Sequence, residues 1–200
     1  MIILKRGENN MKSIELKNEV VTLRAIKKED VEAVFEAGHY AEIWQYMSSK
    51  IESRSDAKAY IEDIHKKMEA GNQYTFAIID TITNELIGST RFYNIDEANK
   101  SVEIGYTWLT PTVWRSSINT NCKYLLLNYC FENWGVNRVQ IVADERNERS
   151  CNAIKRIGAV QEGILRKHMI RADGFVRNSV VFSIIKEDWP HVKMNLQDKL

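Results

Sequence analysis

Residues 147–159 read Asn-Glu-Arg-Ser-Cys-Asn-Ala-Ile-Lys-Arg-Ile-Gly-Ala and follow an apolar, strand-like run at residues 136–143. Their periodicity predicts a short helix over 150–157, which the glycine would end. Asn147 and Ser150 therefore stand where a strand gives way to a helix. Their side chains can hydrogen-bond an amide-bearing ligand that lies across the sheet, or they can cap the helix, and both interpretations stay open.

A second connection of this kind lies earlier in the chain. Residues 101–109 alternate as a strand, Thr-Pro at 110–111 ends it, and the apolar run at 118–131 predicts a central helix. The start of such a helix presents unpaired backbone N–H groups and the positive end of the helix dipole, which together favour an anion such as phosphate. The polar residues of this connection equally suit helix capping. They are Ser116, Ser117, Asn119 and Thr120.

Over the whole chain, the hydrophobic pattern predicts the element order β-α-α-β-β-β-α-β-α-β-β. One strand and two helices come first, and the second helix stops at Gly71. Three strands at short spacing then suggest an antiparallel meander before the central helix. The predicted strands cover residues 20–26, 74–80, 85–94, 101–109, 136–143, 159–169 and 179–186.

The composition fits one globular domain. The 200 residues are 44% hydrophobic and 28% charged, and the net charge is +1. This balance argues against a nucleic-acid or membrane-surface partner, and no apolar run is long enough to span a membrane. We expect a cytoplasmic protein with residues 1–13 as a tail or an upstream extension and residues 14–200 as the domain. Three cysteines at no metal-ligand spacing are expected to be free thiols, so we expect no metal.

The motifs resemble those of a known family. The pattern Asn-x-x-Ser-x-x-x-Ile-x-Arg-x-Gly-Ala, beginning at Asn147, is similar to the second cofactor motif of the GNAT acetyltransferases. Val-Glu-Ile-Gly-Tyr at 102–106, followed by Trp-Leu-Thr-Pro, resembles the strand before their pyrophosphate loop. Segments at 162–166, 173–174, 177–179 and 187–189 resemble the RimJ/RimL-type branch, named for ribosomal-protein N-termini. The resemblance covers about residues 18–190.

The resemblance implies an α/β GNAT fold, with a mixed, mostly antiparallel central sheet flanked by helices. It also implies direct transfer of acetyl from acetyl-CoA to a primary amine, either a protein N-terminal α-amine or a small-molecule amine. A catalytically silent CoA-binding or interaction module is the alternative. The sequence leaves open which amine is acetylated and whether the protein forms a homodimer.

By the same resemblance, the pyrophosphate loop falls on six consecutive residues, namely Arg115, Ser116, Ser117, Ile118, Asn119 and Thr120. Ile118 stands where the family usually has Gly, and Thr120 stands where it has Gly or Ala. Side chains there could obstruct close approach of the backbone to a phosphate. The family motif therefore predicts either a slightly wider cofactor loop or lost binding. Basic side chains nearby, Lys123, Arg149, Lys155 and Arg156, would suit a phosphate-rich cofactor.

The resemblance also implies the chemical roles. Glu103 falls on the strand where many of these enzymes keep a glutamate that takes the amine proton, although a solvated charge on a strand is the simpler interpretation. The backbone N–H of Leu109 would stabilise the oxyanion. Ser150 matches the acid that protonates the departing thiolate in this branch, and Asn147 would hold the pantetheine amide.

We expect the substrate to contact the first two helices and the final hairpin. Trp44 and Tyr46 are predicted to form an aromatic wall, and a core or interface role is the alternative. His168, alone on a strand, is expected to be structural. Asn178 stands where this branch commonly has Asp, and we expect this difference to weaken attraction for cationic substrates.

Overall fold

The computed structural model describes residues 14–171 and 173–200. Eight strands form one sheet in the order β1-β2-β3-β4-β5-β6-β8-β7. They are β1 (Leu16–Lys17), β2 (Val21–Ala25), β3 (Gln73–Asp80), β4 (Leu86–Asp96), β5 (Ser101–Leu109), β6 (Arg138–Asp144), β7 (Val160–Ile170) and β8 (Val176–Ile185). The helices are α1 (Val31–Gly38), α2 (Ala41–Trp44), α3 (Arg54–Glu69), α4 (Ile118–Asn128), α5 (Glu148–Arg156) and α6 (Trp189–Gln197). The predicted tail, residues 1–13, lies outside the described residues.

The predicted fold class is confirmed, because all neighbouring strands are antiparallel except the parallel pair β5–β6. Three short elements were not predicted, namely β1, α2 and α6. Helix α6 did carry a signal, since its buried residues Trp189, Val192 and Leu196 recur at helical spacing and a proline stands in its first turn. No helix in the described part of the chain is long and apolar enough to cross a membrane.

The parallel pair positions the site. Strands β5 and β6 pair over only three positions, Ser101 with Arg138, Val102 with Val139 and Glu103 with Gln140. Beyond them β5 continues to Leu109 and β6 to Asp144, but the two strands no longer pair with each other. The two strands therefore diverge and leave a gap, which we call the wedge, with Glu103 at its narrow end.

Strand β5 also bulges along the wedge. Arg91 pairs with Gly105, but Ser89 pairs with Trp108, so β5 carries one more residue than β4 over this step. The extra residue is accommodated at Tyr106, whose φ of 50° is in the left-handed region. Gly88 on β4 is required beyond the bulge, because a Cβ there would collide with the carbonyl oxygen of Trp108.

The alternation of side chains along the strands gives the sheet two distinct faces. Val102 and Ile104 belong to a core that also contains buried residues of α4 and α6. Trp108, beyond the bulge, belongs to a second core with residues of α1 and α3. Since Glu103 lies between Val102 and Ile104, it projects from the same face as α1 and α3. We call this the acceptor face.

Candidate active site

Glu103 lies at the narrow end of the wedge and is half-buried. Its Oε1 accepts a hydrogen bond of 2.9 Å from Nδ2 of Asn94. Tyr93 is its direct partner across the β4–β5 pair. Burial, and then the negative charge of Glu103, raise the pKa of Tyr93 well above its usual value, so this phenol keeps its proton. A carboxylate beside a neutral phenol can accept a proton from a ligand in the wedge.

The backbone at the wide end of the wedge offers a donor. The amide of Thr110 donates to the carbonyl oxygen of Ile87 on β4, at 2.8 Å. Because successive amides of a strand point to opposite edges, the amide of Leu109 points away from β4, toward the side from which β6 has diverged. This is the direction that an oxyanion donor in the wedge requires.

The first turn of α4 lies beyond this donor. Ile118 N–H contacts the Ser116 hydroxyl at 3.3 Å, and Asn121 N–H donates to the carbonyl of Ser117 at 2.9 Å. Ser117 makes no side-chain cap. The amides of Asn119 and Thr120 have no acceptor among the described residues. Unpaired amides in the first turn of a helix are the type of donor that can bind an anion.

The two departures from the family loop point inward. Ile118 is 6% exposed and packs in the core, and Thr120 is 5% exposed. The Thr120 hydroxyl accepts a hydrogen bond of 3.3 Å from Nη2 of Arg156. Neither side chain therefore stands in the solvent in front of the first turn, and the obstruction that the sequence suggested is absent at these two positions.

Two of the predicted basic side chains do surround this turn. Arg149 of α5 stacks over Trp114, with its Cζ 3.8 Å from the ring centroid, and Arg156 reaches Thr120. Arg115 is exposed, with a φ of 64°. The prediction that Lys123 adds positive charge beside this turn is wrong, because Lys123 is buried and its Nζ donates to the Thr107 hydroxyl at 2.8 Å. Burial lowers the pKa of Lys123 from 10.5 to about 8.

The start of α5 keeps both predicted polar residues together. Asn147 caps the helix, since its Oδ1 accepts a hydrogen bond of 3.0 Å from the amide of Ser150. The capping interpretation thus fits Asn147, and its Nδ2 stays available for a ligand. Ser150 is half-buried one position before Cys151. The three cysteines are free thiols, as predicted.

Three arginines that the sequence analysis did not select lie on the acceptor face. Arg91 is 3% exposed, and its guanidinium stacks on the ring of Tyr106 at 4.4 Å. On β8, Ser179 pairs with Asp144 of β6, so these two side chains project from the same face of the sheet. Arg177 lies two residues before Ser179 and therefore shares that face, the acceptor face. Arg171 follows β7 and donates from Nη2 to the Met47 carbonyl at 3.4 Å. For Arg91 the sequence did carry a signal, because this charged residue stands inside the otherwise uncharged run Leu-Ile-Gly-Ser-Thr-Arg-Phe of β4.

The predicted acceptor-side residues separate into two groups. Trp44 is 4% exposed and its indole donates to the Gly38 carbonyl at 2.7 Å, so the core interpretation fits it. Tyr46 is half-buried, and the Arg146 guanidinium lies 5.8 Å from the centroid of its ring. The side chains of Glu103, Tyr93 and Arg91 meet on the acceptor face, and the amides of Asn119 and Thr120 lie at the other end of the wedge.

Comparison with known proteins agrees with this geometry. The sequence profile of the acetyltransferase (GNAT) domain matches residues 21–160. The chain belongs to this family. It is 27% identical over 175 residues to an uncharacterized N-acetyltransferase, p20, of Bacillus licheniformis, covering 87% of this chain and 97% of that one. This match supports acetyltransferase activity for the GNAT chain.

Two further relatives refine the placement. The chain is 28% identical over 186 residues to a Bacillus subtilis (strain 168) protein named "Putative ribosomal N-acetyltransferase YdaF", covering 86% of this chain and 94% of that one. This similarity agrees with the RimJ/RimL-type motifs. A crystal structure of a GCN5-related N-acetyltransferase from Brucella melitensis superimposes with a TM-score of 0.86 at 24% identity, covering 92% of this chain and 84% of that one. It shows the same GNAT fold.

The remaining predicted residues of the GNAT chain lie at the final hairpin. His168 is exposed, and its Nδ1 is 3.0 Å from the buried Ser179 hydroxyl. Asn178 projects from the face opposite Arg177; its Oδ1 accepts from the Lys167 amide and its Nδ2 donates to Glu145. The predicted effect of Asn178 on acceptor charge therefore lacks a direct contact on the acceptor face. No cluster of three potential metal-ligand side chains occurs in residues 14–171 and 173–200.

Proposed function

We propose that this acetyltransferase transfers the acetyl group of acetyl-CoA directly to a primary amine. One observation carries the proposal: the wedge joins a half-buried carboxylate at its narrow end to unpaired helix amides at its wide end. Acetyl transfer from a thioester that also carries a diphosphate would use the carboxylate at the narrow end and the amides at the wide end. The amine nitrogen forms a bond to the acetyl carbon while the carbon–sulfur bond breaks, and no covalent bond to the protein is required.

The cofactor phosphates would bind at the first turn of α4. The amides of Asn119 and Thr120 supply N–H donors, and the Arg115, Arg149 and Arg156 guanidiniums supply positive charge. Asn147 would bind a pantetheine amide through Nδ2. Hydrogen bonds from several preorganised donors to a charged diphosphate are individually stronger than neutral ones, which supports a specific site despite the absence of the usual glycines.

The proton of the acceptor would pass to Glu103. An α-amine with a pKa of about 8 is neutral in roughly one molecule in ten at pH 7, whereas a lysine side chain is neutral in well under one in a thousand. A weak base near the attacking nitrogen therefore suffices for an α-amine. Asn94 would orient the Glu103 carboxylate, because it donates to Oε1 and leaves Oε2 for the amine or a bridging water.

The two remaining roles concern the acetyl oxygen and the sulfur. The amide of Leu109 would donate to the developing oxyanion, and its orientation away from β4 supports this. Ser150 would pass a proton to the departing thiolate, and its half-buried position at the start of α5 supports a relay from solvent. Tyr46 would line the path of the amine, whereas Trp44 would support that wall from the core.

Replacing Glu103 by Gln tests the base. We expect kcat/KM for an N-terminal peptide amine, followed by thiol release, to fall about 100-fold at pH 7. The loss should shrink toward pH 9, because more of the amine is then neutral without help. Glu85→Gln, in an exposed turn, is the matched control. Unchanged turnover in Glu103→Gln would remove Glu103 from this role.

A silent CoA-binding module remains the second candidate, because the loop departs from the family pattern at Ile118 and Thr120. The buried orientation of both side chains favours CoA binding, which both candidates share, and the Glu103 carboxylate in the wedge favours the enzyme. Calorimetric titration with acetyl-CoA separates the cases. Binding without acetylation of any amine in a broad panel would favour the module, and no binding at high micromolar acetyl-CoA would exclude the enzyme.

A further inference from the structure

The three arginines of the acceptor face share an unusual feature. Each has a solvent-shielded Nε that finds no acceptor among the described residues. Arg91 is 3% exposed, and the side chains of Arg171 and Arg177 are 16% and 15% exposed. A guanidinium presents five donors, so a shielded Nε without a partner marks an incompletely satisfied cation.

The carboxylates near these arginines balance their positive charge only in part. Arg91 donates to the neutral Oε1 of Gln73 at 3.1 Å and otherwise contacts aromatic rings. The carboxylate oxygen near Arg177 belongs to Asp144, at 4.0 Å, and Arg146 already binds both oxygens of that carboxylate. Hydrogen bonds to Arg146 hold the pKa of Asp144 low against its burial.

Arg171 is similarly under-compensated. Its carboxylate partner, Asp173, lies 3.7 Å away and its side chain is 57% exposed, so solvent screens the pair. Burial lowers the pKa of Arg177, and the nearby charge of Arg171 lowers it further. Arg171 and Arg177 are therefore partly buried guanidiniums whose carboxylate partners lie 3.7 and 4.0 Å away. Such an arrangement is costly unless an anion joins it.

The cluster lies where an acceptor must bind. Arg91 and Tyr93 project from the same face of β4, and Tyr93 is opposite Glu103. Arg91 stacks on Tyr106, whose ring centroid is 5.1 Å from that of Tyr93, and Arg177 is close enough to both phenols for them to affect its pKa. The arginines thus lie near the two tyrosines that neighbour the proposed base. An anion bound to Arg171 and Arg177 would place a neighbouring amine beside this carboxylate.

Resting on the proposed function, we infer that the acceptor carries a carboxylate close to its primary amine. Arg171 and Arg177 would bind the carboxylate, with Arg91 adding positive potential from beneath Tyr106. A planar guanidinium fork matches a carboxylate, and the charge-assisted bonds would satisfy the shielded Nε atoms. Free amino acids and peptides that begin with Asp or Glu share this chemistry. An unmodified Ala or Ser N-terminus within a longer chain does not.

The test compares isosteric acceptors that differ only in charge. One arm uses peptides beginning with Asp or Asn, and the other uses free alanine and alaninamide, in which the single carboxylate is replaced by an amide. We expect kcat/KM for the carboxylate member to exceed its amide partner at least tenfold in one arm. The arm with the larger ratio identifies the source of the carboxylate.

Two variants connect this preference to the arginines. Arg177→Gln and Arg171→Gln should bring the ratio close to one, whereas Arg166→Gln, an exposed arginine of β7, should leave it as it was. Circular dichroism establishes that each variant folds. If one of the two arginine variants does not fold, the other still tests the inference. Equal kcat/KM for carboxylate and amide acceptors in the unchanged enzyme would overturn the inference.

Direct binding separates this inference from the proposed function. The carboxylate acceptor is titrated by calorimetry with desulfo-CoA present, so no acetyl transfer is needed. Binding that weakens at least tenfold in Arg177→Gln supports the carboxylate site even if no turnover occurs. Binding that is equal for the carboxylate and amide members refutes it even if acetyl transfer is observed.

Discussion

The buried lysine of α4 allows a quantitative prediction. Burial lowers the pKa of Lys123 from 10.5 to about 8, so protonated Lys123 destabilises the folded state at neutral pH. At pH 7 both states carry the proton, and the difference of roughly 2.5 pKa units corresponds to about 3 kcal/mol of destabilisation. As the pH rises from 8 toward 10.5, the folded state loses its proton first and the destabilisation disappears.

Replacing Lys123 by Met removes this charge and keeps a side chain of similar length. The Thr107 hydroxyl loses its ammonium donor but keeps Thr90, whose Oγ1 is 2.8 Å away. Allowing about 1 kcal/mol for the lost hydrogen bond, we expect Lys123→Met to be about 2 kcal/mol more stable at pH 7. Most of that stabilisation, about 2 kcal/mol, should be lost between pH 7 and pH 10.

Urea unfolding of both proteins at pH 7 and pH 10 measures the change, because other titrating groups contribute equally and cancel in the difference. Lys66→Met, on an exposed face of α3, is the control and should show no such pH dependence. A stability difference that stays constant between the two pH values would refute the reasoning, since it would mean that Lys123 titrates alike in both states.

Two further substitutions test the cofactor loop and the wedge. Asn119→Pro removes one amide in the first helical turn, where proline is tolerated, and should weaken acetyl-CoA binding about tenfold by calorimetry, while Asn119→Ala should leave it nearly unchanged. Equal affinities would exclude that amide as a phosphate ligand. Gly88→Ala forces a Cβ against the Trp108 carbonyl and should cost about 2–3 kcal/mol in urea unfolding. Unaltered stability would show that β5 can move away without cost.

The sequence predicted the sheet well because strand signals depend on local periodicity. The alternation through residues 101–109 and the apolar run of the central helix were sufficient to place both elements. The bulge at Tyr106 was not predictable, because a left-handed residue other than glycine carries no compositional signal. Helix α2 was missed since its four residues cannot show a helical period.

The site was predictable only where side chains follow one another along the chain. Asn147 and Ser150 share one turn, so their joint position at the start of α5 followed from spacing. Arg91, Arg171 and Arg177 come from three different strands or their ends, and only the sheet register brings them to one face. Lys123 was misplaced because a helix start does not reveal which of its residues point inward.

Among the described strands, only the three β5–β6 residue pairs join the β1–β5 half of the sheet to the β6–β8 half. A cofactor held by α4 on one side and α5 on the other would act as a cross-link over this seam. At 100 times its dissociation constant such a ligand adds about 2.7 kcal/mol to the free energy of unfolding. We expect the amides next to the seam to exchange with solvent first in the free protein and to become protected when acetyl-CoA is added. Acetyl-CoA binding and the pairing of the two halves of the sheet would then be thermodynamically coupled.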